Sequence, residues 1–210
     1  MSRQVLVVLG HPCSDSLCAG LATAYADAAR AAGAQVRVLR LGSLVFDPLL
    51  HAGYRQVQTL EPDLVAAQQD ILWAQHLVWV YPIWWGAMPA LLKGFIDRVF
   101  LPGFAFKYRE GSPLWDKLLA GRSAELLVTM DSPPWYFRWV TRMPGHHQMK
   151  KAILEFCGIS PVQVHSFGPV RSASPERLAQ WVEKARQLGQ RQGARSAPGK
   201  PRPAPVTSSP

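Results

Sequence analysis

Two segments of the chain carry the side chains that most suggest chemistry. The first, residues 10–18 (Gly-His-Pro-Cys-Ser-Asp-Ser-Leu-Cys), joins an apolar run to a helical pattern that Ser14 or Asp15 can cap. Free backbone N–H groups at a helix start favour an anionic group such as phosphate, and the hydroxyls of Ser14 and Ser16 add donors. An ordinary capped turn is the alternative, so this segment alone leaves both interpretations open.

The second segment combines flat apolar side chains with a stiff backbone. Residues 81–89 (Tyr-Pro-Ile-Trp-Trp-Gly-Ala-Met-Pro) follow an apolar run and precede a helical pattern that opens at Pro89. A loop of this composition at the carboxyl end of a parallel strand suits a planar heteroaromatic ring. Packing at a sheet end or at a subunit interface is the alternative role for Trp84 and Trp85.

Candidates for proton transfer follow in a third loop. Residues 129–139 are again polar and aromatic, and the phenol of Tyr136 can donate a hydrogen bond to a substrate oxygen or can be structural. His146 and His147 are candidates because histidine titrates near neutral pH, although lone histidines are more often structural. Tyr136 and His146 are therefore the predicted catalytic residues.

The sequence lacks the motifs of several other kinds of catalytic or binding site. The sequence has no Ser/His/Asp order, no H-E-x-x-H, no paired carboxylates, and neither G-x-G-x-x-G nor G-x-x-x-x-G-K-[ST]. Its three cysteines show neither C-x-x-C nor paired metal spacing, so we expect no metal site. The odd cysteine count and an opening strand without a secretory pattern lead us to expect reduced thiols and a cytoplasmic location.

Composition and charge narrow the class further. With 210 residues, 48% hydrophobic and 18% charged, the chain fits one sizeable folded domain. The formal charge of +9 comes without a Lys/Arg-rich run or a nucleic-acid motif, so we expect it to attract anionic cofactors and not nucleic acid. Pro82, Gly86 and Pro89 interrupt the apolar stretch 77–92, which argues against a membrane span. Peripheral docking through the basic end of the chain stays open.

Alternating strands and helices define the elements that must position these loops. Five apolar, β-branched runs predict strands at Val5–Leu9, Val36–Leu41, Leu77–Tyr81, Ala124–Thr129 and Val162–Phe167. Helical periodicity lies between them, which requires a parallel sheet covered on both faces. We predict a three-layer, flavodoxin-like α/β fold with sheet order 2-1-3-4-5. Its switch point brings together the loops after strands one and three.

We predict that the flavodoxin-like domain spans residues 1–192. From there to the end, residues 193–210 are rich in Pro, Gly, Ser and Arg and have no apolar period, which predicts a disordered, Pro-rich basic tail.

The chain resembles the flavodoxin-like NAD(P)H:quinone oxidoreductases. The resemblance covers about residues 3–190 and is most specific over residues 81–100 (Tyr-Pro-Ile-Trp-Trp-Gly-Ala-Met-Pro-Ala-Leu-Leu-Lys-Gly-Phe-Ile-Asp-Arg-Val-Phe). Gly103-Phe-Ala-Phe106, Gly10-His11-Pro12 and Leu154-Glu-Phe-Cys-Gly-Ile159 add to it. It implies a homodimeric enzyme that holds FAD or FMN without a covalent bond and passes hydride from NAD(P)H to quinones by a ping-pong mechanism. A regulatory or ancillary subunit of a transporter or redox partner is the alternative function.

The resemblance also implies a flavin site with four parts. The phosphate and ribityl portion would be surrounded by His11, Ser16, Leu17 and Cys18. The isoalloxazine would be lined by Pro82, Ile83, Trp84, Trp85 and Gly86. Its pyrimidine edge would meet Thr129, Met130, Asp131 and Ser132. Tyr136 would face the nicotinamide or the quinone.

Three differences from the family pattern fall within this site. Cys18 stands where Asn is common, so one flavin contact is lost or replaced. The loop after strand four, usually Thr-Thr-Gly-Gly, is bulkier and acidic here, and Arg142 occupies the place of the family's proton-assisting histidine, with His146 further on.

Overall fold

A five-stranded parallel sheet forms the centre of the computed structural model, which describes residues 2–133 and 135–195. Its strands are β1 (Gln4–Leu9), β2 (Gln35–Arg40), β3 (His76–Pro82), β6 (Ser123–Thr129) and β7 (Val162–Phe167). Their order is β2-β1-β3-β6-β7, which confirms the predicted order of 2-1-3-4-5. Two further strands, β4 (Phe106–Tyr108) and β5 (Trp115–Lys117), lie outside this sheet and form a separate antiparallel pair. This pair was not predicted from the sequence.

Helices cover both faces of the sheet. Helices α1 (Leu17–Ala31) and α5 (Pro175–Gly193) pack on one face. The opposite face carries α2 (Pro62–Trp73), α3 (Ala90–Val99), the short α4 (Pro144–His147) and the π-helical segment Gln148–Glu155. A second π-helical segment, Tyr136–Val140, precedes α4. This is the three-layer arrangement that the alternating pattern predicts.

The central strand β3 shows why the sheet needs a helical layer on each face. Every residue of β3 is buried, with Trp79 and Tyr81 in the core beneath α2 and α3 and Val78 and Val80 in the core beneath α1 and α5. Because successive strand residues point to opposite faces, an uninterrupted apolar run can only be satisfied by layers on both sides.

The last helix ends beside the predicted domain boundary, and the division of the chain into a domain and a tail stays a prediction. Helix α5 continues through Gly193, one residue beyond the predicted boundary at 192. Most of the predicted tail, residues 196–210, lies outside the described residues. Among the described helices, none has the length and apolar composition to cross a bilayer.

Candidate functional site

A cleft of about 200 Å³ lies at the carboxyl edge of the sheet. It is formed where the loops after β1, β3, β6 and β7 meet, beside the switch point between β1 and β3. The cleft is lined by His11, Ser16, Leu17, Cys18, Pro82, Ile83, Trp84, Thr129, Met130, Asp131 and Val170. Ten of these eleven were predicted from the sequence, and Val170 was not.

The loop after β1 forms a polar cradle at the start of α1. Ser16, and not Ser14 or Asp15, caps the helix, because its Oγ accepts a hydrogen bond from the Ala19 N–H at 3.2 Å. The same hydroxyl donates to the Cys13 carbonyl at 3.1 Å, which orders the loop. The N–H groups of the first helical turn that Ser16 does not reach have no acceptor within the helix. This arrangement is suited to an anionic group.

Close backbone packing sets the position of this loop. Gly42 lies so near the Pro12 carbonyl that a Cβ built on Gly42 would be 2.2 Å from its oxygen. Gly10 is also closely packed, although less tightly, because a Cβ there would be 2.9 Å from Leu92 Cδ2 in α3 and 3.1 Å from Tyr81 Cβ in β3. Glycine at both positions lets the loop close over the end of the sheet.

The loop after β3 turns tightly around two left-handed residues. Trp84 and Ala87 exchange backbone hydrogen bonds of 2.9 and 3.0 Å, and Trp85 and Gly86 between them have φ values of +51° and +78°. Positive φ at both central residues is the signature of a type I′ turn. The turn directs Trp85 into solvent, fully exposed, while Trp84 stays against the cleft with its ring 5.6 Å from that of His11.

Trp85 and Gly86 therefore do not line the cleft of this chain, although the sequence analysis placed both against a ring. The physical reason is the turn geometry, because two successive left-handed residues point the Trp85 side chain away from the sheet.

Cys18 and Thr129 join the first and third loops at the base of the cleft. Cys18 Sγ lies 3.3 Å from Thr129 Oγ1, and both side chains are buried. Burial raises the pKa of the Cys18 thiol to about 11, which outweighs the lowering effect of the Thr129 hydrogen bond. The thiol is therefore a neutral packing group at neutral pH and not a nucleophile.

The loops after β6 and β7 are tied together at the far side of the cleft. Val170 N–H donates to the Met130 carbonyl at 3.0 Å, and Arg171 N–H donates to Asp131 Oδ1 at 2.8 Å. These bonds bring Val170 to the cleft and fix the Asp131 carboxylate. The sequence signal for Val170 was its position just after the fifth strand, at the same edge of the sheet.

Tyr136 and Ser132 are not among the residues that line the cleft. Tyr136 is 42% exposed at the start of its π-helical segment, with its ring 5.8 Å from that of Trp135. The Tyr136 side chain is therefore partly open to solvent, and Ser132 is half-buried next to Asp131 in the chain.

His146 is not among the residues that line the cleft. It is buried in α4, with Nε2 2.8 Å from Ser166 Oγ and its ring 5.0 Å from that of Phe137. Burial, with a smaller effect of His147, lowers the pKa of His146 to about 4. The imidazole is therefore neutral at neutral pH, and its surroundings do not favour the proton-transfer role predicted for it.

The fold and the cleft define a flavodoxin-like protein with a polar and aromatic site at the switch point of its sheet. Residues 3–189 match the family model described as Flavodoxin-like fold, and the chain belongs to this family, Flavodoxin_2.

Three other proteins are similar to this chain in sequence or in structure. The chain is 27% identical over 192 residues to an uncharacterized NAD(P)H oxidoreductase of Haemophilus influenzae, covering 88% of this chain and 93% of that one. It is 30% identical over 145 residues to the ribosyldihydronicotinamide dehydrogenase [quinone] of Rattus norvegicus, covering 62% and 59%. An FMN-dependent NADH-azoreductase from Bacillus anthracis, solved in complex with FMN, is 19% identical with a TM-score of 0.71, covering 91% and 99%. At that identity the likeness is one of fold.

Proposed function

We propose that this chain is a flavin-dependent NAD(P)H:quinone oxidoreductase. The observation that carries the proposal is the meeting, in one cleft, of a capped helix start with the aromatic turn at Trp84 and the polar edge at Thr129 and Asp131. Relatives named as NAD(P)H oxidoreductase and quinone dehydrogenase support the same function.

The residues present fit a flavin. The helix start at Ser16–Cys18 offers backbone donors to a phosphate, and Ile83 and Trp84 offer an apolar wall to a ring. Thr129 and Asp131 supply polar groups at the opposite side. A bound flavin would supply the capacity to accept and release hydride, which protein side chains lack. Either FMN or FAD is compatible with this cradle.

The chain's own residues would orient the two substrates in turn. Trp84 and Tyr136 present aromatic surface to a nicotinamide or a quinone, and the Tyr136 hydroxyl would donate a hydrogen bond to a substrate oxygen. Because both substrates would use the same open side of the cleft, we propose a ping-pong order. Homodimeric assembly and a cytoplasmic location remain predictions.

The test is flavin content followed by turnover. We expect purified protein to be yellow or to take up added FMN or FAD, with the released flavin identified by mass, and to oxidise NADH or NADPH when menadione is added. A colourless protein that takes up neither flavin would contradict the proposal. Flavin binding without turnover would instead support the regulatory alternative.

A further inference from the structure

The lining of the cleft differs in charge from the rest of the molecule. The chain as a whole is basic, with a formal net charge of +9. The residues that line the cleft, however, include one carboxylate, that of Asp131, and neither lysine nor arginine. A basic protein therefore carries a permanent negative charge in the wall of its candidate site.

The Asp131 carboxylate is held in place without being neutralised. Its Oδ1 accepts a hydrogen bond of 2.8 Å from the Arg171 N–H, which is an uncharged backbone donor. Within residues 2–133 and 135–195, Asp131 forms no ion pair with a basic side chain. The loop after β7 thus fixes the position of the carboxylate and leaves its charge free to act on a ligand.

The carboxylate lies at the open side of the cleft. Asp131 is exposed, whereas Thr129 and Met130, which line the cleft from the same loop, are buried. In the chain by itself, Trp84 and Asp131 are the exposed members of the lining, and the other lining residues are buried or half-buried. A molecule that enters the cleft therefore passes an indole ring and a negative charge.

An electron acceptor has to come close to this charge. Hydride transfer needs the reacting atoms about 3–3.5 Å apart, so the acceptor has to lie against a ring that is itself held by the cleft. This step rests on the proposed function. Because low-dielectric walls focus the field of a charge in a cleft, the carboxylate acts on the acceptor without having to touch it.

We propose that Asp131 is a specificity-determining residue, which makes the cleft select uncharged or cationic aromatic acceptors over anionic ones. Trp84 offers stacking surface to any flat ring, and Asp131 adds repulsion when that ring carries a negative substituent. Two like charges about 6 Å apart repel by an energy that corresponds to about threefold in water and about 100-fold at the dielectric constant of a protein surface. We expect a discrimination of roughly tenfold, between these limits.

The same charge acts on the cofactor that the cleft is proposed to hold. When NAD(P)H gives up a hydride, two electrons and one proton pass to the flavin, and NAD(P)⁺ leaves. The flavin then carries one additional negative charge until it takes up a proton from solvent. A carboxylate in the wall of the cleft disfavours that charge, so Asp131 should make the reduced flavin a stronger reductant. This consequence can be measured without any acceptor.

A purely structural role for Asp131 makes a different prediction. If the side chain only ties the loops after β6 and β7 together, its hydrogen bond to Arg171 matters and its charge does not. Asp131→Asn keeps an oxygen that can accept this hydrogen bond and removes the charge, whereas Asp131→Ala removes both. The asparagine variant therefore isolates the effect of charge.

The test compares two acceptors of the same shape. Flavin-loaded, full-length protein reduces either menadione or naphthoquinone sulfonate, which carries a sulfonate group where menadione carries its methyl group. The quantity of interest is kcat/KM for the sulfonate divided by kcat/KM for menadione, because this ratio cancels differences in flavin content between preparations. We expect Asp131→Asn to raise the ratio roughly tenfold.

The redox equilibrium of the bound flavin gives a second readout, independent of turnover. Equilibration with a reference dye measures the ratio of reduced to oxidised flavin at a given potential. We expect Asp131→Asn to shift this ratio about tenfold toward the reduced form, which for a two-electron couple is about 30 mV upward.

Asp27→Asn is the matched control for both measurements. It makes the same chemical change at an exposed position of α1, where Asp27 pairs with Arg30 on the surface. We expect this variant to match the unchanged chain in acceptor ratio and in redox equilibrium. Circular dichroism verifies that all variants are folded.

The outcomes separate this proposal from the proposed function. Protein that binds no flavin, or that binds flavin and does not reduce menadione, would contradict the proposed function and the acceptor preference that rests on it. Turnover of menadione with an acceptor ratio that Asp131→Asn leaves unchanged would overturn the role of Asp131 alone. An acceptor ratio that changes in Asp131→Ala and not in Asp131→Asn would likewise overturn it, because the residue would then act only by joining two loops.

Discussion

At the scale of single residues, burial decides what each candidate group can do. Cys18 and His146 are both of chemically versatile types, yet burial keeps each of them neutral by moving its pKa away from neutral pH. The groups that remain candidates for contact with a ligand are Trp84 and Asp131, which line the cleft, and Tyr136, which is partly exposed. Residue type alone therefore predicts more reactive groups than the structure allows, because the surroundings of a side chain can suppress its reactivity.

The three thiols should differ sharply in reactivity. Cys13 is exposed, whereas burial raises the pKa of Cys18 to about 11 and that of Cys157 to about 12. Because the thiolate is the reactive form, we expect iodoacetamide to modify Cys13 first in native protein at neutral pH, and all three after unfolding. Peptide mapping by mass spectrometry measures this, and native labelling of Cys18 as fast as that of Cys13 would contradict the placement of Cys18.

At the scale of elements, loops at one edge of a rigid sheet build the site. The loop after β1 is held by Gly42 and by the Ser16 cap, and the loop after β3 by a backbone hydrogen bond of 2.7 Å from Ile83 N–H to the Thr129 carbonyl. Because these restraints are two backbone contacts and one capping side chain of the protein itself, the cradle is formed by the fold.

Adding one methyl group at Gly42 should therefore damage the cradle. The Cβ of Gly42→Ala would meet the Pro12 carbonyl, and relieving such an overlap costs about 1–3 kcal/mol. We expect flavin to dissociate roughly tenfold more readily, as measured by fluorescence titration. Gly20→Ala is the matched control, since it lies in α1 with nothing within 4 Å of the added Cβ. Equal flavin affinity in both variants would show that the close approach does not position the loop.

The sequence predicted the elements well, because the signals that define them are local. A continuous apolar run such as β3 can be satisfied only between two helical layers, and five such strand–helix units fit a flavodoxin-like sheet of order 2-1-3-4-5. The pair β4 and β5 was missed because its strands have three residues each, too few for a periodic pattern.

The site was predicted less completely, because side-chain direction depends on backbone angles that composition does not reveal. Trp84 and Trp85 are the same residue type in sequence, yet the left-handed turn sends one to the cleft and the other into solvent. Val170 was missed because its approach depends on hydrogen bonds between two distant loops.

At the scale of the whole molecule, a buried polar network joins α5 to the sheet. Glu125, fully buried in β6, accepts hydrogen bonds from Gln192 Nε2 at 2.6 Å and from the Tyr25 hydroxyl at 3.1 Å. His76 lies in the same interior, 3.4 Å from the Tyr25 hydroxyl. A buried network of this kind makes overall stability sensitive to protonation.

Acid should destabilise the protein through its buried histidines. Burial, reinforced by Arg3, lowers the pKa of His76 to about 3, and burial lowers that of His146 to about 4. The unfolded chain therefore binds more protons below about pH 6.5, and stability is lost as pH falls from there toward 4. We expect the free energy of unfolding, measured by urea titration, to fall by roughly 1–2 kcal/mol per buried histidine between about pH 7 and pH 5.

Substitution separates this effect from general acid sensitivity. His146→Gln keeps a polar partner for Ser166 and should make the fall in the free energy of unfolding smaller by the contribution of one buried histidine. His147→Gln, at an exposed position, should leave the fall unchanged. The same pH dependence in all three proteins would mean that His146 is not held neutral by the fold.

The central claim is that the cleft between Ser16, Trp84 and Asp131 holds a flavin and passes electrons from a nicotinamide to a quinone. The most direct measurement mixes flavin-loaded protein with NADPH or NADH without oxygen and then adds menadione, while the visible flavin absorbance is followed. We predict that the absorbance is bleached by the nicotinamide alone and returns when the quinone is added, with each half of the reaction proceeding in the absence of the other substrate. An absorbance that neither nicotinamide changes, in protein shown to contain flavin, would contradict the claim.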